Sequence, residues 1–199
     1  MITLYGSTMN RGGRSVLALE ECGVTYELRD LNLQNQEHKK PDYLKLNPSG
    51  TVPTLVDGDT VVWESMAINL YLAEKYGKDL MPSSPAERAL VYQWSLWAIT
   101  ALEPRLVTVF ANRVMLPEAE RNEKAAAQAA TEAAQQLQVL DHGLEGRAYL
   151  CGEDFTIVDV NVGHVVAWAN LMGIDMSGVP EVRRWFESVG SRPSFRKLM

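Results

Sequence analysis

The 199-residue sequence predicts an α/β domain followed by an all-α helical domain, and three observations carry that prediction. Short β-rich runs alternate with helical segments only before residue 77. A stretch rich in proline and serine, Gly77 to Pro85, then interrupts the chain. Beyond it, apolar residues recur at helical spacing almost without a break. The predicted boundaries are 1–77 for the α/β domain, 78–85 for the linker and 86–199 for the helical domain.

Each element has its own signal. Residues 2–6 read as a strand, and a helix follows from Arg14 to Glu21, closing at Gly23. Tyr26 to Leu31 alternates polar and apolar residues as a strand does. After a polar stretch, Thr54–Leu55–Val56 and Val61–Val62–Trp63 flank Asp57–Gly58–Asp59, and an Asp-Gly pair between β-rich runs marks a hairpin. Ser65 to Tyr76 is helical, with Ile68, Tyr71 and Leu72 on one face and Gly77 at its end. Past the linker, Ala86 to Met115 forms one long helical segment kinked by Pro104. Pro117 opens the next, where Ala130, Leu137, Leu140 and Leu144 keep helical spacing, and the alanine-rich run 125–134 has strong helix propensity. Thr156–Ile157–Val158–Asp159 has the form of a capping box and starts a buried helix reaching Met172. A last helix runs from Pro180 to Val189, ahead of Arg192–Pro193.

Composition narrows the function. The hydrophobic fraction is 46% and the formal net charge is -6, which opposes a general affinity for nucleic-acid phosphates. No apolar run approaches the roughly 18 residues that span a bilayer, and the N-terminus lacks the charged and apolar regions of a signal peptide. Cys22 and Cys151 are isolated, with no zinc spacing. They are read as small core residues in a reducing compartment, so a cytoplasmic protein is expected, with no metal, no nucleic-acid partner and no membrane.

The chemistry concentrates in two short motifs. In Asn47–Pro48–Ser49–Gly50–Thr51–Val52–Pro53, a proline just before a β run invites a cis peptide bond. A cis Val52–Pro53 bond would let Val52 offer its backbone N–H and C=O to an extended peptide; the alternative is an ordinary turn proline. Glu64–Ser65 falls at the start of a helix. Free N–H groups and the serine hydroxyl suit a carboxylate there, and Glu64 suits an ammonium group; Ser65 can also simply cap its helix. His38–Lys39–Lys40 adds positive charge for a second carboxylate, although a surface charge run is often only solvated. Together these features describe a small peptide with an amino-acid head, a central amide pair and a terminal carboxylate. Glutathione has that form.

On these motifs and their order, from Leu4–Tyr5–Gly6 to Arg192–Pro193, the sequence resembles the cytosolic glutathione transferase superfamily. The resemblance implies a thioredoxin-like first domain, a helical second domain and a homodimer, with glutathione as cosubstrate. It implies that Val52 pairs with the cysteinyl unit beside Pro53, and that Glu64 and Ser65 hold the γ-glutamyl end. His38, Lys39 and Thr51 fall near the glycyl end.

Serine-type members stabilise the glutathione thiolate with a hydroxyl in the loop after the first strand. Aligning Leu4–Tyr5–Gly6 and Arg14 with that pattern puts Asn10 at the activating position, and Tyr5 matches the structural aromatic. Activation needs a donor. A hydrogen bond to a charged group is worth roughly 1.5–3 kcal/mol, or about one to two pKa units. The Asn10 amide can supply it, and Ser7 and Thr8 are alternatives. Asparagine here resembles members linked to disulfide reduction. The electrophile is expected between this loop and the first long helix of the second domain, with Met9, Arg11, Trp94, Trp97 and Arg105 as candidates; the tryptophans also fit an ordinary core. Three readings follow. They are a transferase acting on a small hydrophobic electrophile, a glutathione-dependent disulfide reductase using the same site, and a non-catalytic binding module.

Overall fold

The computed structural model describes residues 1–196. It falls into two compact units. One comprises Met1–Pro82 with Pro193–Arg196; the other is Ser83–Arg192.

The first unit is built on a four-stranded sheet. Strand β1 (Ile2–Tyr5) leads into helix α1 (Gly12–Cys22) and returns as β2 (Tyr26–Arg29), parallel to β1. A 3-10 turn (Glu37–Lys39) and a short helix α2 (Pro41–Leu44) follow, then the hairpin of β3 (Thr54–Asp57) and β4 (Thr60–Trp63) and helix α3 (Ser65–Tyr76). The sheet order is β2-β1-β3-β4, with β3 antiparallel to both neighbours. Burial on β1 alternates, and Leu4 stands opposite Leu55 in register, both fully buried. Helices α1 and α3 pack together, supplying Leu17, Leu19, Ile68 and Leu72 to this core. The hairpin closes in two residues, and Gly58, the first of them, takes φ 60°, which a side chain would resist.

The expected polar stretch after β2 holds more structure than the sequence suggests, because α2 is only one turn and shows no amphipathic period. Tyr43, on α2, is buried.

The second unit is helical: α4 (Pro85–Trp97), α5 (Glu103–Phe110), α6 (Glu123–Leu144), α7 (Ile157–Leu171) and α8 (Pro180–Gly190). The short α9 (Pro193–Arg196) belongs to the first unit, packed against α1. The single helix expected over 86–115 is resolved into α4, a π-helical turn at Ala98–Leu102, α5 and a second π turn at Ala111–Met115. Pro104 has no N–H to give and crowds the turn before it, so the helix widens just ahead of it rather than breaking. Pro117 does not open the following helix. A 3-10 turn (Glu118–Glu120) intervenes, and α6 starts at Glu123 where the Asn122 side chain caps it, accepting from the Ala125 N–H at 3.0 Å.

Helix α7 begins with the expected box. Asp159, fully buried, accepts from the Thr156 N–H (2.9 Å) and hydroxyl (3.2 Å), and also from the Leu150 N–H (3.1 Å) and the Trp185 indole (2.9 Å). Among the described residues no helix is long and apolar enough to cross a membrane.

Candidate functional site

The strand register assembles the site. Tyr5 pairs with Thr54, and Thr54 with Trp63. The residues that follow β1, precede β3 and follow β4 therefore meet along one edge of the sheet: Gly6–Ser7, Val52–Pro53 and Glu64–Ser65. A Cβ on Gly6 would come within 3.5 Å of the Pro53 Cβ and 3.6 Å of Asn10 Oδ1, which shows how closely the first loop sits over the proline turn.

The Val52–Pro53 bond is cis. The turn around it is held from below by two buried side chains. The Tyr43 hydroxyl donates to the Thr51 carbonyl at 2.6 Å and lies 2.8 Å from Thr54 Oγ1. The Asn47 amide donates to the same carbonyl at 2.9 Å and to Thr54 Oγ1 at 3.1 Å. Neither the N–H nor the C=O of Val52 enters a hydrogen bond among the described residues, so both are available. Tyr43 belongs to none of the sequence motifs. Its only signal is an aromatic residue in an otherwise polar stretch.

Glu64 is the N-cap residue of α3, at φ 71°, an uncommon conformation for a residue with a side chain. It is exposed, while Ser65 is buried. The first N–H groups of α3 have no partner within the helix and give this end positive character. Behind it lies Arg14, 1% exposed, whose Nη1 donates to Ser65 Oγ at 3.3 Å. The Asn69 amide donates to the Arg14 carbonyl at 3.1 Å, tying α3 to α1. A buried guanidinium behind Ser65 adds to the field that favours a carboxylate.

His38 is half-buried and Lys39 exposed, both in the turn after β2. Lys39 Nζ donates to the Ser49 carbonyl at 3.4 Å and would lie 2.9 Å from a Cβ on Gly50, so it reaches the turn that carries Thr51.

The loop after β1 is a knot centred on Asn10. Its Oδ1 accepts from the Gly12 N–H at 2.8 Å and the Ser7 N–H at 3.3 Å, and its Nδ2 donates to Ser7 Oγ at 3.0 Å. The two converging backbone donors fix which end of the amide is oxygen. Thr8 and Met9 form the exposed tip, Met9 at 93%, and Arg11 is also exposed.

Trp97 and Arg105 belong to the second unit. The Trp97 indole donates to Gln136 at 3.3 Å, and its ring meets that of Trp94 edge-on at 5.2 Å. Trp94 is buried against Gly143, where any Cβ would strike its ring, so Trp94 is a core residue of the α4–α6 packing. Arg105 pairs with Glu132 at 3.5 Å and donates to the Ala101 carbonyl. Arg105, Thr108, Gln128 and Glu132 line an open groove of about 400 Å³ between α5 and α6.

Burial and the neighbouring Glu21 push the Cys22 thiol up to about 11, and burial also raises Cys151. Both are half-buried rather than in the core, and neither is a thiolate at neutral pH. Among the described residues no three His, Cys, Asp or Glu side chains cluster to hold a metal ion.

A four-stranded mixed sheet of this order, carrying a cis-proline turn at its edge and joined in one chain to an all-α unit, defines a protein of thioredoxin-like fold with a helical second unit. The chain belongs to the glutathione S-transferase family. Residues 1–74 match the family's N-terminal domain and residues 102–193 its C-terminal domain. It is 35% identical to glutathione S-transferase 3 of Zea mays over 211 aligned residues, covering all of this chain and 93% of that protein. A theta class glutathione S-transferase from Xanthomonas axonopodis pv. citri, solved with glutathione bound, superimposes with a TM-score of 0.91. The two are 34% identical, over 98% of this chain and 95% of that one. The glutathione transferase URE2P6 from Phanerochaete chrysosporium, solved with oxidized glutathione, gives 0.89 at 30% identity, over 99% and 94% of the two chains.

Proposed function

We propose that this chain binds glutathione in its first unit and transfers it to a small hydrophobic electrophile. The observation that carries this is the convergence along one sheet edge of a free backbone N–H and C=O at Val52 with the exposed Glu64 carboxylate and the N-terminus of α3. Val52 pairs with the cysteinyl amide beside Pro53. The γ-glutamyl carboxylate sits on the α3 N–H groups and Ser65, with Arg14 behind, and its ammonium group meets Glu64. Thr51, His38 and Lys39 take the glycyl end. The glutathione bound by the Xanthomonas relative supports this reading.

Chemistry then needs a thiolate. A free thiol with a pKa of about 8.5 is only a few per cent ionised at neutral pH. The loop Ser7–Thr8–Met9–Asn10, beside Pro53, supplies the donor that lowers it. The S–H bond breaks with its electron pair left on sulfur, and the proton passes to solvent. That pair forms the S–C bond, and the leaving group departs with the electrons of the bond that breaks. Met9 and Arg11, exposed on the same loop, are the proposed electrophile contacts of this unit.

Titrating the protein with glutathione tests the reading. Saturation at millimolar glutathione, with thiolate absorbance appearing in the complex below the free thiol's pKa, is the expected result. No saturable binding at that concentration overturns it.

The second reading is disulfide reduction by the same bound thiolate, favoured by the oxidized glutathione held by the Phanerochaete relative. Turnover on a glutathione mixed disulfide and on an aryl halide separates the two. An inert disulfide eliminates reduction.

A further inference from the structure

In the loop after β1, Asn10 and Ser7 stand in opposite hydrogen-bonding situations. Asn10 Oδ1 is held by two backbone N–H groups, from Gly12 and Ser7. The amide is tucked under the loop: a Cβ on Gly12 would come within 2.9 Å of that oxygen, and one on Gly6 within 3.6 Å. With its oxygen pinned on this inner side, the amide cannot turn to follow a ligand without releasing both bonds.

Ser7 is in the opposite situation. Its Oγ accepts the Asn10 N–H at 3.0 Å, which occupies one lone pair and leaves the hydroxyl proton uncommitted among the described residues. A hydroxyl that accepts one hydrogen bond becomes a better donor in the next. Ser7 is half-buried, and it follows Gly6, the residue packed over Pro53. Its proton is a rotatable donor polarised by Asn10, whereas the Thr8 hydroxyl stands at the exposed tip and the Asn10 amide is held fixed, with one of its two N–H groups given to Ser7.

We propose that Ser7 donates the hydrogen bond to the glutathione sulfur and that Asn10 is the positioning residue that holds and polarises its hydroxyl. The chain Asn10 N–H to Ser7 Oγ, then Ser7 O–H to sulfur, stabilises the thiolate without any proton leaving Ser7. This rests on the reading of the site as a glutathione receptor. It predicts that the two side chains act as one unit and not as two independent donors.

The test is the pH titration of thiolate absorbance in the glutathione complexes of the wild type, Ser7→Ala, Asn10→Ala, the double variant and Ser7→Thr, with glutathione Kd measured in parallel. Ser7→Ala is expected to raise the bound thiol's pKa by about one to two units. The corresponding fall in kcat/KM below that pKa is about 10- to 100-fold, with glutathione Kd moving less than about threefold. Ser7→Thr, which keeps a hydroxyl, is expected to recover most of the shift. Asn10→Ala is expected to raise the pKa by no more than Ser7→Ala does, and the double variant to match Ser7→Ala. A Ser7→Ala complex that titrates like the wild type overturns the proposal, as does a double variant showing the sum of two separate shifts. A wild type that does not bind glutathione overturns the receptor reading and this proposal with it. One that binds and lowers the thiol's pKa, but is indifferent to Ser7→Ala, overturns this proposal alone.

Discussion

A methyl group on Gly12 would stand 2.9 Å from Asn10 Oδ1, 2.9 Å from the Ser7 nitrogen and 3.0 Å from the Ser7 carbonyl oxygen. Two of these are backbone atoms and the third is a pinned amide, so none can yield cheaply. Gly12→Ala is therefore expected to open the Ser7–Asn10 knot, lowering kcat/KM at least tenfold. Overpacking of this kind costs about 1–3 kcal/mol, which urea unfolding would measure. Arg14 makes a different demand. Its guanidinium reaches Ser65 Oγ from inside the unit, and a lysine carries the same charge without the planar fork. Arg14→Lys is expected to raise KM for glutathione about tenfold, the equivalent of one lost hydrogen bond of about 1.4 kcal/mol. With kcat nearly unchanged, the loss would be one of binding. Steady-state kinetics with glutathione as the varied substrate check this, and a fall in kcat at constant KM contradicts it. At this scale the sequence is legible as a set of residue types and no further. It names an asparagine and a serine in one loop, but which atoms of Asn10 face inward depends on Gly12, whose role shows only in three dimensions.

Two carboxylates act as joints between elements. Asp57, at the end of β3, accepts from Lys75 (2.7 Å), Tyr71 (2.8 Å) and Tyr76 (2.7 Å) of α3, so it ties the hairpin to the helix. Burial alone would raise its pKa, but the hydrogen bonds from Lys75, Tyr76 and Tyr71 outweigh that and bring it to about 2. A carboxylate held below its unfolded value of about 3.9 stabilises the fold above that pH and loses its contribution as pH falls through about 2. Stability of the wild type is therefore expected to drop more steeply between about pH 4 and pH 2 than that of Asp57→Asn, as urea midpoints across that range would show. Equal slopes would remove Asp57 from the acid response. Asp159 joins the start of α7 to Leu150 and Trp185, yet only half of its role is written locally. The capping contact with Thr156 is legible because its partners are three residues apart, which is why the box is readable from the sequence. The Trp185 indole, 26 positions on, and the Leu150 N–H are not. Asp159→Ala would leave these buried donors without an acceptor, at roughly 1–3 kcal/mol each. Its expected cost is more than about 3 kcal/mol in urea unfolding, well beyond that of losing a helix cap alone.

Alternating β and α signals, the Asp-Gly hairpin and the helical stripes make most of the architecture legible, because each is a pattern within a dozen residues or so. What sequence periodicity does not reveal is the return of the chain end. Pro193–Arg196 pack with Met1–Pro82 although the whole helical unit lies between them in sequence. Helix α9 is one turn long, too short to show an amphipathic period, and its partner α1 is more than 170 positions upstream. The Ser194 hydroxyl donates to Glu21, and Phe195 is 2% exposed, so the last turn completes the packing on α1. The first unit is thus discontinuous in sequence, and the helix that carries Gly12 and Arg14 depends on residues from the far end of the chain. Phe195→Ala is expected to leave a cavity costing about 3–5 kcal/mol. That loss should fall on the first unit. In native-state hydrogen exchange, the amides of Gly12–Cys22 should lose protection while those of Ile157–Leu171 keep it. Because α1 carries both Arg14 and the anchor of the Ser7–Asn10 loop, glutathione affinity should fall along with that protection, although Phe195 lies outside the candidate site. Equal loss of protection in both helices would mean that the chain end stabilises the molecule as a whole and not the first unit through α1.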